Sequence, residues 1–333
     1  MKKKVFLLGA TGFLGRNVLR ELLRREFEVV ALVRDRKNAV APILEKELVQ
    51  LPCYQKLSIV EGSLLSPKAI LDASQGCDAV VNCSGTTDMS LLKLADYYPV
   101  NRDAVGFVIE AMKNHGISTL VHVSTANTIG YGTSERWATE ASPIESPFAE
   151  SFYAQSKKAG EELVLQFAEE NKDAHVIVVN PGFMLGPYDL KPSSGQLLMA
   201  ANRRPVMVAP KGGKSFIHVG DAACAIVNAI DRGENGSKYL LTGKNMSLKE
   251  FYRMQAEVCG YRQKVLDLPS GLALAGAKIG DLLRLCGIRT QLSTRNVRQL
   301  LVMEWYDNSH TCKELDMPET PIAKAIKDFF DYR

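Results

Sequence analysis

The first part of the chain alternates short apolar runs with segments of helical spacing. Leu14, Val18 and Leu22, for example, recur every four residues, as on one face of a helix. Runs that are apolar at every position are typical of strands in a parallel sheet with helices on both faces. We therefore predict strands at residues 4–9, 29–33, 57–60, 79–83, 120–124 and 175–180, and helices at 13–25, 96–115 and 148–171.

After residue 180 the pattern changes, because glycine and proline crowd a loop and the predicted elements become shorter. Since a strand, a glycine turn and a helix open the chain, we predict an α/β protein with a doubly wound parallel sheet of the Rossmann type. Residues 1–180 would form this domain, and 216–242 would return to it. Residues 181–333 would mainly form a small C-terminal α/β substrate lobe, with short strands at 206–208, 216–219 and 238–241 and helices at 221–231, 247–259 and 322–330.

Composition excludes several classes of protein. The 333 residues are 46% hydrophobic and 23% charged, which is ordinary for a globular protein. The net charge of +4 arises from 41 basic and 37 acidic residues without a large basic cluster, which argues against nucleic acid as a partner. The 7 cysteines contain no C-x-x-C pair, so neither a metal site nor a disulfide framework is predicted. Free thiols suit a reducing compartment, and we predict a cytoplasmic protein.

Two apolar segments raise the question of a membrane or a secretory signal. The basic start at residues 1–4 and the apolar run at 5–8 resemble a signal, but glycines interrupt the run and no cleavage site follows, which favours a first strand. Residues 272–288 are apolar but carry three charges and are too short for an integral span. We expect an amphipathic helix there that covers a pocket or a partner, with a peripheral membrane contact as the alternative.

A glycine loop follows the first strand with the spacing G-x-x-G-x-x-G. Gly9 permits a tight turn, Gly12 lets the backbone approach a pyrophosphate, and Gly15 lets the helix pack on the strand. The helix N-terminus then supplies free N–H groups and the positive end of a dipole. A glycine turn without a ligand is the alternative. The residues predicted to contact a dinucleotide here are Gly9, Thr11, Gly12, Phe13, Leu14 and Gly15.

The end of the second predicted strand bears on the type of dinucleotide. An acidic residue at this position holds a ribose 2′-hydroxyl, whereas an arginine accommodates a 2′-phosphate. Arg34 is the first polar residue after the strand, and Arg36 and Lys37 add positive charge. We predict that Arg34 and Lys37 favour NADP, while Asp35 keeps NAD possible.

Tyr153 and Lys157 are four residues apart on a predicted helix, so the phenol and the ammonium share one face. A nearby lysine favours the phenolate and would lower the pKa of Tyr153, which then becomes a usable general acid or base. A surface pair without a function is the alternative. Upstream, Ser124 and Thr125 end a strand with adjacent hydroxyls that could hold a substrate carbonyl, or could merely cap the next turn.

Together, the glycine loop, the strand-end hydroxyls and the Tyr–Lys pair resemble the short-chain dehydrogenase/reductase superfamily, in its extended branch, the NAD-dependent epimerase/dehydratase superfamily. The motifs Val33-Arg34-Asp35, Asn180-Pro181-Gly182 and His218-Val219-Gly220-Asp221 are closest to dihydroflavonol-reductase-like and 3β-hydroxysteroid-dehydrogenase-like members. Nucleotide-sugar epimerases share most of these features.

This resemblance implies roles for individual residues. Tyr153 and Lys157 match the catalytic pair, and Thr125, with Ser124 beside it, matches the catalytic Ser/Thr. Ser63 stands where an acid usually lies beside the adenine. The resemblance also implies a homodimer through helices 96–115 and 148–171. The further positions that match cofactor-contacting residues are Ser63, Leu64, Cys83, Ser84, Gly85, Asn101, Pro181 and Gly182, besides Tyr153 and Lys157.

These observations predict an NAD(P)-dependent oxidoreductase. It would transfer a hydride between the nicotinamide and a carbonyl or secondary alcohol of a small organic substrate. One alternative is a nucleotide-sugar epimerase with tightly bound NAD. Another is a dinucleotide-sensing protein without turnover. The presence of both Tyr153 and Lys157 argues against the last of these.

Overall fold

A computed structural model of the chain describes residues 3–51 and 53–332. Met1 and Lys2, at the start of the basic segment considered above as a signal, lie outside the described residues. The strands are β1 (Lys4–Leu8), β2 (Glu28–Val33), β3 (Leu57–Glu61), β4 (Ala79–Asn82), β5 (Thr119–Val123), β6 (His175–Pro181), β7 (Phe183–Leu185), β8 (Val206–Pro210), β9 (Gly213–His218), β10 (Lys238–Leu241), β11 (Lys244–Ser247) and β12 (Lys264–Leu268).

The α-helices connect these strands and cover them. They are α1 (Phe13–Arg24), α2 (Pro42–Leu48), α3 (Pro67–Ser74), α4 (Ala104–His115), α5 (Phe152–Glu170), α6 (Gln196–Ala201), α7 (Val219–Arg232), α8 (Leu248–Val258), α9 (Ser270–Leu285), α10 (Thr294–Gln299), α11 (Ser309–Leu315) and α12 (Ile322–Asp331). None of these helices, within the described part of the chain, is long and apolar enough to cross a membrane.

A seven-stranded sheet in the order β10-β6-β5-β4-β1-β2-β3 forms the centre of the molecule. Every neighbouring pair in it is parallel. The predicted doubly wound fold is therefore confirmed. The chain leaves β1 toward β2 on one side and later returns to β4 on the other. Ligands of such sheets bind at the carboxyl ends of the strands, where the direction of winding reverses.

Helices bury both faces of the sheet around β1 and β4, where the strands are mostly apolar, whereas the edge strand β3 is only partly buried. In β1, Val5 and Leu7 belong to one core cluster, and Phe6 and Leu8 belong to the cluster on the other face. Helices α1 and α7 pack against each other on the first face, and α3, α4 and α5 form the layer on the second.

The later part of the chain adds two small sheets, with the orders β11-β9-β7 and β12-β8. A separate core cluster joins them to α8 and α12, with Phe216 stacked on Phe251 at its centre. Within the segment 216–242, β9 lies in a small sheet, whereas α7 and β10 lie against or in the large one. The division into residues 1–180 and 181–333 stays a prediction.

Two predicted helices differ from the structure at their N-terminal ends. The segment 96–115 begins with a π-helical turn at Pro99–Asp103, and α4 starts only at Ala104. The segment 148–171 begins with a 3₁₀ turn, and α5 starts at Phe152, where the Ser151 hydroxyl caps it by accepting from the N–H of Ala154. The Ser151 cap therefore sets the start of α5.

Candidate active site

The glycine loop lies between β1 and α1 at the carboxyl edge of the large sheet. Gly9 has a φ of +78°, and a Cβ there would lie 2.7 Å from the carbonyl of Cys83. A Cβ at Gly15 would lie 2.0 Å from the carbonyl oxygen of Gly9, so only glycine allows α1 to pack this closely on the loop. Gly12 is the N-cap residue of α1, and no side chain of the described residues caps the N-terminus of this helix.

This loop fits a pyrophosphate. The first turn of α1 contains no acidic residue, so its N–H groups and the positive end of the helix dipole are open to an anion. Thr11, Phe13 and Leu14 complete the loop and the first turn, and of these Leu14 is buried. The loop could therefore hold a pyrophosphate, and its contact with a dinucleotide stays a prediction.

The ends of β2 and β3 form the edge predicted to hold the adenine ribose. The parallel register pairs Val33 with Glu61, so Arg34 lies beside the turn that carries Ser63. Arg34 and Lys37 are exposed. The Asp35 carboxylate accepts a 2.9 Å hydrogen bond from the N–H of Lys37 and so takes part in the local turn.

Ser63 and Leu64 occupy the loop after β3. The hydroxyl of Ser63 accepts a 3.1 Å hydrogen bond from the N–H of Leu65. Leu64 is partly buried against the core of the adjacent sheet face. The loop therefore presents a small hydroxyl and an apolar side chain beside Arg34. The family resemblance would lead one to expect an acid at the position of Ser63.

Tyr153 and Lys157 lie on α5, with Thr125 at the end of β5. The Thr125 side chain lies close enough to the Tyr153 phenol to act on its pKa. Lys157 is buried, and its Nζ donates a 2.7 Å hydrogen bond to the carbonyl oxygen of Val123. The structure thus brings together the predicted tyrosine, lysine and strand-end hydroxyl.

The expectation that Lys157 lowers the pKa of Tyr153 is wrong in this structure. Burial raises the pKa of Tyr153, and the nearby Thr125 side chain opposes that rise. Burial also lowers the pKa of Lys157 to about 8, against the opposing charges of Glu161 and Cys83. The ammonium is directed to a backbone carbonyl, so desolvation sets the protonation of the phenol.

The hydroxyls of Ser124 and Thr125 differ in their hydrogen bonds. Thr125 caps a short 3₁₀ turn, because its hydroxyl accepts a 3.3 Å hydrogen bond from the N–H of Asn127, so the capping alternative also holds. The Ser124 hydroxyl is buried and has no hydrogen-bond partner among the described residues. A buried hydroxyl without a partner is costly, and a bound carbonyl oxygen would satisfy it.

The loop after β4 reaches Lys157. A Cβ at Gly85 would lie 3.6 Å from both Lys157 Nζ and Asn101 Oδ1. Asn101 is fully buried, and its amide bonds the backbone of Thr86 in both directions and donates to the Ser156 hydroxyl. Asn101 therefore holds this loop against α5.

The remaining predicted site residues lie at or just after the ends of β4 and β6. Burial raises the pKa of the Cys83 thiol to about 12, while the charge of Lys157 opposes this. Ser84 donates its hydroxyl to Asn82 Oδ1 at 2.5 Å. Pro181 ends β6, and the N–H of Gly182 donates to the carbonyl oxygen of Leu241 at 2.9 Å.

A buried carboxylate that the sequence analysis missed supports the site. Glu161 follows Lys157 by one helical turn, accepts hydrogen bonds from Thr128 and Asn180, and pairs with Lys238. The Asn180 amide also donates to the carbonyl oxygen of Thr125, which holds the backbone of that residue. The spacing of Tyr153, Lys157 and Glu161 at every fourth residue was the signal available.

Two arginines lie beside Tyr153 in the wall of a small cavity. Arg284 of α9 donates to the carbonyl oxygens of Met89, Ser90 and Leu91. Arg295 of α10 stacks over the Phe152 ring, 3.6 Å from its centroid. The cavity is lined by Met89, Leu91, Tyr97, Ser151, Phe152, Tyr153, Arg284, Arg295 and Asn296.

Comparison with known proteins adds a family, two curated relatives and a fold. A family model described as the NAD dependent epimerase/dehydratase family matches residues 5–241. A putative dihydroflavonol 4-reductase of Synechocystis sp. is 27% identical over 331 residues, covering 97% of this chain and 92% of the relative. Sterol demethylase protein B of Methylococcus capsulatus is 26% identical over 329 residues, covering 96% and 95%. The crystal structure of gox2253 is similar in fold, with a TM-score of 0.81 and 24% identity over 99% of this chain and 98% of that one.

Proposed function

Because this chain belongs to the NAD dependent epimerase/dehydratase family, we propose that it is an NAD(P)-dependent reductase or dehydrogenase that interconverts a carbonyl and a secondary alcohol. The observation that carries the proposal is the meeting of Tyr153, Thr125 and Lys157 at the carboxyl edge of the sheet, beside the glycine loop. The name of the first relative, a putative dihydroflavonol 4-reductase, supports a reductase.

The residues present fit a dinucleotide. The open N-terminus of α1 and the glycine loop would hold the pyrophosphate, and Lys157 would hold the nicotinamide ribose. The nicotinamide would lie near Pro181 and Gly182. The bound dinucleotide supplies the hydride, and the protein's own groups handle the proton.

Tyr153 acts as the general acid in this proposal. Because burial raises its pKa, the phenol carries its proton at neutral pH, which is the form that reduction of a carbonyl requires. The Ser124 hydroxyl orients the carbonyl oxygen, since it is buried and lacks a partner in the described structure. Thr125 stabilises the phenolate that forms as Tyr153 gives up its proton.

We also propose that NADP is the preferred dinucleotide. Arg34 and Lys37 are exposed at the ribose edge, where they can bind a 2′-phosphate. The Asp35 carboxylate, by contrast, is bonded to the N–H of Lys37, which makes it less available to a ribose 2′-hydroxyl.

The substitution Tyr153→Phe tests the mechanism. We expect the rate of NADPH oxidation with a competent carbonyl compound to fall at least about 100-fold, because the general acid is lost. The dissociation constant for NADPH should stay within about threefold, since the phenol hydroxyl contributes little to ground-state binding. Tyr131→Phe is the matched control, because its hydroxyl bonds the carbonyl oxygen of Ser146 at the surface.

Near-wild-type turnover by the Tyr153→Phe variant would overturn the mechanism. Conversion of a nucleotide sugar to its epimer by protein that retains NAD, with no NADPH consumed, would establish the epimerase alternative instead. Binding of NADPH without turnover across a carbonyl panel would establish the sensing alternative.

A further inference from the structure

Helix α9 turns its large apolar side chains outward. Leu272, Ile279 and Leu282 are 65%, 64% and 62% exposed, and Leu285 is 85% exposed. The segment that follows α9 continues this pattern. We call the set the α9 face; it comprises Leu272, Ile279, Leu282, Leu283, Leu285, Ile288 and Leu292, each at least 38% exposed.

The side of α9 that packs on the protein is built from small residues. Ala273, Ala277 and Gly280 are the buried members of this helix. A Cβ at Gly280 would lie 1.8 Å from the carbonyl oxygen of Leu292, so the segment after the helix packs directly on its backbone. A helix on the surface of a globular protein normally buries its leucines and exposes polar groups. Here the arrangement is reversed, and the exposed apolar surface requires an explanation.

The exposed charged residues of α9 and of the segment after it are basic, and an exposed acid, Asp88, lies within electrostatic reach of Arg289 and Arg284. Between residues 270 and 292 the exposed charged side chains are Lys278 and Arg289. Asp281, the acid of this segment, is half-buried and accepts a 3.0 Å hydrogen bond from the N–H of Thr294.

The adjoining sheet of β8 and β12 also exposes apolar side chains together with basic ones. It exposes Val206, Val208 and Leu266, and its core neighbour Leu268 packs with α9. Its exposed acid, Asp267, is paired with Lys249 at 2.7 Å. The exposed basic residues at this edge are Arg203, Arg204, Arg262 and Lys264.

We propose that the α9 face docks on the surface of an anionic lipid bilayer, with α9 lying in the plane of the headgroups. Exposed leucines and isoleucines flanked by lysine and arginine are typical of a helix that inserts its apolar side into the headgroup boundary. A second copy of the chain is a poorer occupant, because a contact between two identical faces would place two surfaces with an excess of exposed basic residues against each other.

The position of α9 gives this docking a consequence for the substrate, which rests on the function proposed above. Arg284 of α9 is hydrogen-bonded to residues 89–91, and it shares a cavity wall with Tyr153. A bilayer on the α9 face would therefore lie next to the cavity. The substrate class is then a lipid-soluble carbonyl compound, an amphiphile that reaches Tyr153 from the bilayer.

Vesicle sedimentation of the full-length protein tests the docking surface without substrate or dinucleotide. The triple variant Ile279→Ser, Leu282→Ser, Leu285→Ser should bind vesicles of phosphatidylcholine and phosphatidylglycerol at least about 100-fold more weakly than the wild type. The matched control is Val49→Ser, Leu65→Ser, Met199→Ser, which removes exposed apolar side chains elsewhere and should bind like the wild type. Circular dichroism verifies that all variants are folded.

Charge is tested separately. Lys278→Gln with Arg289→Gln should weaken binding to the anionic vesicles about 25-fold and leave binding to pure phosphatidylcholine unchanged. In an activity assay, the triple variant should lose turnover of a long-chain ketone held in vesicles and keep turnover of a short, water-soluble ketone.

Wild-type protein that stays in the supernatant, or a triple variant that sediments like the wild type, would overturn the proposal. So would light scattering that shows a wild-type dimer and a monomeric triple variant, because a second copy would then cover the face. The Tyr153→Phe variant should bind vesicles normally, so failure of the reductase mechanism and failure of docking give different results.

Discussion

Burial controls the chemistry of the candidate catalytic residues. The pKa of Tyr153 is raised and the pKa of Lys157 is lowered to about 8, and loss of contact with water is the largest cause of both shifts. Both shifts disfavour the charged form of the group. The site is therefore prepared to donate a proton from Tyr153 at neutral pH.

The pKa of Lys157 predicts a pH dependence. Lys157 is charged below about pH 8 and neutral above it. We expect kcat/KM for carbonyl reduction to be level below that pH and to fall about tenfold per unit above it, because the ammonium that holds the ribose is lost. In Lys157→Arg the decrease of kcat/KM above pH 8 should disappear, since a guanidinium keeps its charge. The pH-independent value of kcat/KM should be lower than in the wild type.

Lys158→Arg is the control for this profile, because the neighbouring side chain points away from the buried site and remains half-exposed. It should keep the decrease above pH 8. A decrease that persists unchanged in Lys157→Arg would assign it to another group.

At the residue scale the sequence predicts which side chains meet but not what burial does to them. The i, i+4 spacing placed Tyr153 and Lys157 on one face, and the strand end placed Thr125 beside them. The direction of the pKa shifts depends on packing from several elements, and the Glu161 network joins α5 to β6 and β10. No local pattern specifies such contacts.

Among the elements, the joint between β1 and α1 leaves no room for a side chain at Gly15. Gly15→Ala should lower the free energy of unfolding by at least about 2 kcal/mol and abolish NADPH binding, because the Cβ meets the backbone of Gly9 at 2.0 Å. Urea unfolding followed by circular dichroism measures the first effect, and fluorescence titration measures the second.

Gly106→Ala in α4 is the matched control. A Cβ at Gly106 has nothing within 4 Å, and its φ is not in the left-handed region. Alanine should therefore raise the free energy of unfolding by about 0.5–1 kcal/mol, by its better helix propensity. Equal losses in the two variants would contradict the role given to Gly15.

At the element scale, the inner strands of the large sheet, such as β1 and β4, were predicted well because both of their faces are buried. The short strands β7, β11 and β12 carry no such pattern and form only where their partners supply hydrogen bonds. The start of α4 was missed because the buried amide of Asn101 bonds Thr86 and Ser156, which distorts the backbone turn around it.

For the whole molecule, dinucleotide binding should appear as added stability. NADPH at about 100 times its dissociation constant should raise the free energy of unfolding by about 2.7 kcal/mol, and NADH at the same concentration should raise it less. Arg34→Ser should remove the difference between the two dinucleotides. Lys68→Ser, an exposed change on α3, is the control and should preserve it. Thermal unfolding midpoints measure the effect, and an unchanged preference in Arg34→Ser would contradict the choice of NADP.

At the scale of the whole molecule, the sequence predicts the fold class but not the orientation of α9. Its mixture of leucine, alanine and glycine is compatible with either side facing the protein. The choice is made by Gly280, against which the carbonyl oxygen of Leu292 packs, and by Arg284, which bonds residues 89–91. The predicted homodimer through the segments 96–115 and 148–171 stays a prediction.

The bond between Arg284 and the segment 89–91 has a thermodynamic consequence. A single guanidinium joins the helix that faces outward to the wall of the cavity that contains Tyr153. If occupation of the outer face alters the affinity of the cavity for a ligand, that ligand must alter the affinity of the outer face by the same factor. Any such coupling would be reciprocal, and the affinity of the protein for vesicles would then report whether the cavity is occupied.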